Sequence, residues 1–171
     1  MPQTEQRVHM NFDHFCHGSC RLLPMRTDWA NCFGESLARI DPWLSLGYSS
    51  QALCRYLSAV GQERHAIAVL ADDTPAACLT VRPNWLRGPL LELLAVLPEF
   101  QGYGLGREII AWLVGQTKRE GHGNLWTICS EFNLPAQAFY RSQGFQVVGC
   151  MPDLINSEEA EMLLRLRLKR S

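Results

Sequence analysis

An almost continuously apolar run at residues 90–97 is the feature that most restricts the folds open to this sequence. Glu92 is the one charged residue within it. A strand with one wet face alternates apolar and polar residues, whereas a strand covered on both faces is apolar throughout. The run therefore predicts a central strand in a sheet that has helices packed on both sides.

Weaker patterns on either side of this run predict the remaining elements. Apolar residues at helical spacing, with start and stop signals around them, predict helices over residues 27–40, 49–61, 105–121 and 133–144. Alternating or compact apolar runs predict strands over residues 20–25, 65–71, 76–81, 124–130, 145–150 and 162–169. Elements in this order predict an α/β fold around a mixed sheet.

Length and charge place the chain in a broad class. Its 171 residues suit one soluble domain, expected over residues 20–171 behind an N-terminal arm of residues 1–19. The 16 basic and 17 acidic side chains nearly cancel, which argues against nucleic acid as a partner. No apolar stretch reaches the roughly 20 residues that cross a membrane, and residues 1–10 lack a signal-peptide core. We expect a cytoplasmic monomer or homodimer without a membrane partner.

The seven cysteines contain no C-x-x-C pair. Free thiols are expected, as in a reducing compartment. His14, Cys16, His17 and Cys20 place four metal-binding side chains in one short segment. A structural zinc site needs a second ligand pair that the fold brings in from elsewhere. We therefore predict no metal site, with a site in this segment as the alternative.

A glycine-rich segment, Gln101-Gly-Tyr-Gly-Leu-Gly106, follows the apolar run and precedes a predicted helix. Closely spaced glycines let the backbone approach a ligand, and a helix N-terminus presents N–H groups that bind phosphate. Arg107-Glu108 stand where a P-loop has Lys and a hydroxyl residue, and no glycine lies three positions after Gly104 to complete a dinucleotide fingerprint. The segment predicts another kind of pyrophosphate cradle, with a ligand-free turn as the alternative.

The same segment resembles the acetyl-CoA loop, Gln/Arg-x-x-Gly-x-Gly/Ala, of the GNAT superfamily of N-acetyltransferases, and matches it in full. A second similar block is formed by Asn133, Ala136, Phe139-Tyr140 and Gly144-Phe145. The resemblance is closest to the branch that acetylates α-amino groups, including those of ribosomal proteins. It implies a mixed, mostly antiparallel sheet flanked by about four helices, and an enzyme that uses acetyl-CoA as a cosubstrate.

The resemblance also implies roles for individual residues. The strand formed by Leu94, Ala95 and Val96 is similar to the family strand that holds the pantetheine arm and the thioester carbonyl. The cofactor loop corresponds to Gln101, Gly102, Tyr103, Gly104, Leu105, Gly106 and Arg107. Asn133 is expected to contact the cofactor, and Tyr140 to lie beside the departing sulfur.

Direct acetyl transfer needs a neutral amine, a donor for the developing oxyanion and a proton for the leaving thiolate. We expect transfer to a primary amine of a small molecule or a peptide N-terminus, with Tyr140 as the acid. Glu92 is the candidate base or substrate anchor, and an ion-paired or edge-facing side chain is the alternative. The α-amino branch has a carboxylate where this chain has Ile128. This departure leaves a non-catalytic acyl-CoA-binding module as the alternative function.

The acceptor side is expected at the first two helices, the loop that connects them and the loop before the last strand, which flank the acceptor cleft in the family. Trp43, Tyr48 and Trp85 are candidates to line this cleft, with ordinary core packing as the alternative. The sequence does not select one acceptor.

Overall fold

A seven-stranded sheet forms the centre of the fold in the computed structural model, which describes residues 15, 17–59, 61 and 63–169. The strands are β1 (Cys20–Pro24), β2 (His65–Ala71), β3 (Thr74–Trp85), β4 (Gly88–Val96), β5 (Asn124–Ser130), β6 (Gln146–Pro152) and β7 (Ala160–Arg167). They lie in the order β1-β2-β3-β4-β5-β7-β6, and β4 and β5 form the parallel pair in an otherwise antiparallel arrangement. The predicted fold class is confirmed, and the apolar run forms the central strand.

Helices cover both faces of this sheet. They are α1 (Thr27–Leu37), α2 (Ser50–Ser58), α3 (Leu105–Arg119) and α4 (Leu134–Ser142). Phe33 and Leu57 anchor α1 and α2 in one buried cluster, while Ile109 and Leu113 of α3 belong to another that α4 also joins. Burying each of these side chains stabilises the fold by about 1.5–3 kcal/mol. Coverage on both faces explains why β4 carries so few polar residues.

The predicted boundaries mostly agree with the structure. β2 and β5 have the predicted bounds. α1 ends at Leu37, before a series of turns over residues 38–47, and α2 ends at Ser58. β3 is longer than predicted, because the ladder skips between Arg82 and Trp85 and then resumes with Trp85 opposite Gly88. Pro83 lies in that skip, where its missing amide hydrogen costs no ladder bond.

A bulge in β4 and an early end to the β4–β5 ladder open the sheet. Leu91 and Leu93 oppose the adjacent residues Val81 and Thr80, so Glu92 is an extra residue in β4. On its other side β4 pairs with β5 only through Leu90 and Leu91. Beyond that point the two strands diverge, and a wedge-shaped opening separates them.

The predicted N-terminal arm lies largely outside the described residues, as do His14 and Cys16 of the candidate metal segment. Within the described ranges, no group of three His, Cys, Asp or Glu side chains is placed to hold a metal ion. The six cysteines in those ranges are free thiols. None of the described helices has the length and apolarity needed to span a membrane.

Candidate active site

Two cavities meet at the opening between β4 and β5. The glycine groove, about 650 Å³, lies against the loop before α3 and against α4. The β5 cavity, about 340 Å³, lies between α2, β4, β5 and the loop that precedes β7. Leu94, Ala136 and Tyr140 line both of them. The two spaces therefore adjoin along the opening in the sheet.

Gly102 and Gly104 shape the loop that borders the glycine groove. Both have a φ of 84°, a conformation that side chains disfavour. A Cβ at Gly102 would have no described neighbour within 4 Å, and one at Gly104 would meet only Cε1 of His17, at 4.0 Å. Nε2 of Gln101 donates a 2.9 Å hydrogen bond to the carbonyl oxygen of Val96, which ties the loop to the end of β4. The loop thus presents bare backbone to a ligand.

The first turn of α3 adds the polar groups that a diphosphate needs. Its N-cap is Gly104, which has no side chain to satisfy the first N–H groups of the helix. Arg107 is exposed and lines the groove. Unpaired N–H groups at a helix N-terminus, together with a guanidinium, favour an anion there. These residues fit the diphosphate of coenzyme A.

Most of the predicted cofactor residues line the glycine groove: Leu94, Val96, Gln101, Gly102, Gly104, Leu105, Gly106 and Arg107. Three predicted residues lie elsewhere. Ala95 faces the core beneath α1 and α2, because alternate residues of a strand point to opposite faces. Tyr103 is 76% exposed at the loop tip. Asn133 lines the β5 cavity, and its Oδ1 caps α4 by accepting a 3.2 Å hydrogen bond from the Ala136 amide.

Tyr140 lies where the two cavities adjoin, and only 6% of it is exposed. Burial raises its pKa to about 12, although a hydrogen bond with Thr127 partly offsets this effect. The phenol therefore keeps its proton at neutral pH. The role of Tyr140 as a donor to a departing sulfur stays a prediction.

Glu92 lines the β5 cavity, but two arginines hold its carboxylate. Nε of Arg64 donates to Oε2 at 2.6 Å, Nε of Arg82 donates to Oε1 at 2.9 Å, and the Tyr56 hydroxyl donates to Oε2 at 3.2 Å. Burial alone would raise its pKa, but the hydrogen bonds and charges of the arginines outweigh burial and hold the pKa below its ordinary value. Glu92 is thus ion-paired, which makes it a poor proton acceptor.

Two of the three predicted aromatic residues line the β5 cavity. Trp43 and Tyr48 lie in the connection between α1 and α2. Trp85 does not line it: the ring packs edge-on against Trp126, with centroids 5.4 Å apart, near the turn between β3 and β4. The longer β3 carries Trp85 away from the opening, which corrects that assignment.

Glu161 and Ser130 are site residues that the sequence interpretation missed. Glu161 is 2% exposed and lines the β5 cavity, and its Oε1 accepts a 2.7 Å hydrogen bond from Oγ of Ser130. Burial raises the pKa of Glu161 despite that hydrogen bond. The predicted last strand began one residue later, at Met162, so this carboxyl was assigned to a loop. The available signal was the apolar residue at every second position, Met162, Leu164 and Leu166, which is typical of a strand.

The mouth of the β5 cavity is apolar. Leu154 and Ile155, in the loop before β7, line the cavity and are 53% and 43% exposed. Tyr48 lies at the same cavity and is 37% exposed. This loop and the α1–α2 connection thus line one cavity, and their role in flanking the acceptor stays a prediction.

A family model and several relatives match the chain. The model of the acetyltransferase (GNAT) family matches residues 23–145. The ribosomal protein bS18-alanine N-acetyltransferase of Escherichia coli is 28% identical over 111 residues, which cover 65% of this chain and 69% of that protein. The corresponding enzyme of Salmonella typhimurium is 31% identical over 111 residues, with the same coverage.

Solved structures share the fold. The crystal structure of the ribosomal-protein-S18-alanine N-acetyltransferase from Escherichia coli has a TM-score of 0.69 and 20% identity, and the match covers 89% of this chain and 96% of that one. A GNAT family acetyltransferase from Elizabethkingia anophelis with acetyl-CoA bound has a TM-score of 0.67 and 15% identity, covering 89% and 100%. The chain therefore belongs to the acetyltransferase (GNAT) family and is an acetyl-CoA-dependent N-acetyltransferase.

Proposed function

We propose that this N-acetyltransferase moves the acetyl group directly onto the α-amino group at the N-terminus of a peptide or protein. The observation that carries the proposal is the junction of the glycine groove and the β5 cavity at Leu94, Ala136 and Tyr140. A thioester along the groove and an amine in the cavity would meet there. Holding both reactants in contact is what direct transfer requires.

The relatives support a polypeptide acceptor. The enzymes of Escherichia coli and Salmonella typhimurium are named for the alanine of ribosomal protein bS18. The regions of similarity cover about two thirds of this chain, 65% in each case. An N-terminal alanine is therefore the first acceptor to test.

The shape of the β5 cavity favours the same class of acceptor. Its volume of about 340 Å³ suits an amine with a small side chain. The exposed apolar side chains of Leu154 and Ile155 at its mouth would contact the residues that follow the amine. A small polar metabolite would gain little from an apolar mouth, whereas a peptide would bury it.

The side chain of Tyr140 would assist the departure of the thiol. Acetyl-CoA, when bound, supplies an activated thioester. The gap between a phenol pKa of about 12 and an ordinary thiol pKa of about 8.5 corresponds to about 5 kcal/mol, which disfavours complete proton transfer at the start. Tyr140 would therefore act chiefly by donating a hydrogen bond to the sulfur as negative charge develops.

Among the described residues that line the two cavities, Cys129 is the one cysteine. Its thiol is protonated at neutral pH, which agrees with direct transfer. Burial, aided by the negative charge of Glu161, raises the pKa of Cys129 to about 11. The thiolate is the nucleophilic form of cysteine, so this thiol would be nearly inert at neutral pH. An acetylated cysteine intermediate is therefore not expected.

Thiol release from acetyl-CoA tests the proposal. Peptides that begin with alanine or serine should release thiol, while the same peptides with a blocked N-terminus should not. Free alanine and spermidine serve as small-molecule acceptors. Faster release with these small amines than with peptides would overturn the peptide assignment. Binding of acetyl-CoA without thiol release for any of these peptides would also overturn it.

A further inference from the structure

The β5 cavity contains a second carboxylate, Glu161, in a setting unlike that of Glu92. Glu161 is the second residue of β7 and lies opposite Ser130 in the β5–β7 ladder. Its hydrogen-bond partner is the neutral Ser130 hydroxyl, at 2.7 Å, rather than an arginine. Glu161 therefore keeps its capacity to accept a proton and to bind a cation.

Glu161 also lies close to the position that lacks a carboxylate in this chain. Ile128 and Ser130 are two residues apart on β5 and so share one face of the sheet. Ile128 pairs with Leu163, two residues beyond Glu161 on β7, so Ile128 and Glu161 are diagonal neighbours on that face. Both line the β5 cavity. The carboxylate of Glu161 can thus reach the same part of the β5 cavity that the side chain at position 128 faces.

The surroundings of Glu161 favour proton exchange with an amine. Burial and the nearby Glu159 raise its pKa, and the Ser130 hydrogen bond lowers it. Cys129 on β5 is the other titratable group that interacts with it, and the residue opposite it on β6 is the uncharged Met151. A higher carboxyl pKa lies closer to the pKa of an α-ammonium group, about 8, which makes proton transfer between the two groups easier.

We propose that Glu161 binds the ammonium group of the acceptor in the β5 cavity and removes its proton before acetyl transfer, in place of a carboxylate at Ile128. The inference rests on the proposed function. An ammonium group first gives one proton to Glu161. The neutral nitrogen then bonds to the thioester carbon, the carbon–sulfur bond breaks, and the nitrogen loses a second proton while the thiolate gains one. The net products are the acetamide, the thiol of coenzyme A and one proton.

The pH dependence of acetyl transfer to an alanine-initiated peptide tests this role. Glu161→Gln should lower kcat/KM at least about tenfold at neutral pH and move the acid limb of the pH profile to the pKa of the acceptor amine, about 8, because the amine must then arrive neutral. Ser130→Ala should move that limb to higher pH, because it removes the hydrogen bond that lowers the pKa of Glu161. Glu120→Gln is the matched control, because its pKa is also raised by burial but it lies beyond the far end of α3. An unchanged acid limb in Glu161→Gln would overturn the proposal.

Relocating the carboxylate gives a second test. Ile128→Glu, added to Glu161→Gln, should recover a large part of the lost rate, because both positions face the same cavity. A structural role for Glu161 would not be rescued in this way. Failure of the double variant to exceed Glu161→Gln, when both fold and bind acetyl-CoA, would count against a shared acceptor site.

Binding without turnover separates this inference from the proposed function. An alanine-initiated peptide should bind the parent protein saturated with a non-reactive coenzyme A thioether at least about tenfold more tightly than it binds Glu161→Gln. The same peptide with an acetylated N-terminus should bind both proteins alike. Equal binding of the free peptide, or no binding to either protein, would overturn the role of Glu161. Thiol release by the parent would still support the proposed function.

Discussion

Leu91 and Thr127 form the last pair between β4 and β5, and the Thr127 hydroxyl donates a 3.1 Å hydrogen bond to the Leu91 carbonyl oxygen. The same hydroxyl takes part in a hydrogen bond with Tyr140. The phenol is therefore held at the vertex of the wedge between the two strands. The position of the candidate acid follows from the residue at which the ladder ends.

Replacement of Tyr140 by Phe should lower the rate of acetyl transfer by about ten- to a thousandfold. The lower bound is the loss of one hydrogen bond to a developing charge, and the upper bound adds the loss of acid assistance, about 1.4–4 kcal/mol in all. Single-turnover transfer to an alanine-initiated peptide measures the effect. The affinity for acetyl-CoA should remain nearly unchanged, because the ring still lines the groove. Transfer at the parent rate would show that the hydroxyl serves packing alone.

Replacement of Gly104 by Val should abolish stabilisation by acetyl-CoA. A ligand at a hundredfold excess over its Kd stabilises a folded protein by about 2.7 kcal/mol, or several degrees in Tm. Gly104 lines the groove, and a Cβ there has one described neighbour within 4 Å, His17. The valine side chain would therefore occupy the open space of the groove. Thermal unfolding with and without acetyl-CoA measures the shift.

Gly121→Val is the matched control for that substitution. Gly121 has a φ of 76° just beyond the other end of α3, and a Cβ there has no described neighbour within 4 Å. Both variants therefore carry similar backbone strain, but only one lies at the groove. Gly121→Val should lose stability and keep the full shift with acetyl-CoA. A full shift in Gly104→Val would remove the cradle assignment.

Replacement of Glu92 by Gln should weaken the fold rather than change the acid limb of the rate profile. The substitution leaves Arg64 without its carboxylate partner and leaves Arg82 paired with the exposed Glu63 at 3.9 Å, at a cost of about 1–3 kcal/mol in this partly buried site. Chemical denaturation measures the loss. The further change Arg64→Gln should reduce the penalty, because one unpaired charge is removed. An altered acid limb would restore Glu92 as a candidate base.

The pKa of Glu92 predicts how the stability difference between the parent and Glu92→Gln varies with pH. The pKa of Glu92 is lowered in the folded protein, so its stabilising effect is present above the unfolded-state pKa of about 4.3. That effect is lost as the pH falls through the lower, folded-state pKa. The difference in the free energy of unfolding between the parent and Glu92→Gln should therefore be largest at neutral pH and should disappear in acid. A gap that persists under strong acid would contradict the ion-pair assignment.

Local sequence signals were enough to predict the glycine groove and the central strand. The apolar run requires cover on both faces, and Gly102 and Gly104 occupy backbone conformations that other residues disfavour. Tyr140 followed from its spacing to Asn133 within a recognisable block. Each of these features depends on residues near one another in the chain.

Features that depend on strand register could not be predicted in this way. Glu161 and Ser130 are 31 residues apart, and Arg64 lies 28 residues from Glu92. Trp85 was misplaced because the length of β3 depends on how the ladder passes Pro83. Hydrophobic periodicity predicts which face a residue occupies, but it does not give the partner across the ladder.

Direct transfer predicts that the protein carries no acetyl group between substrates. Because the pKa of Cys129 is about 11, its thiol should remain unmodified when acetyl-CoA is added without an acceptor. Intact-mass measurement should show no acetylated protein, and initial rates with varied acetyl-CoA and peptide should give intersecting rather than parallel double-reciprocal plots. Cys129→Ala should retain transfer while losing about 1 kcal/mol of stability from the buried side chain. A stable acetylated Cys129 that passes its acetyl group to the peptide would replace direct transfer with a two-step mechanism.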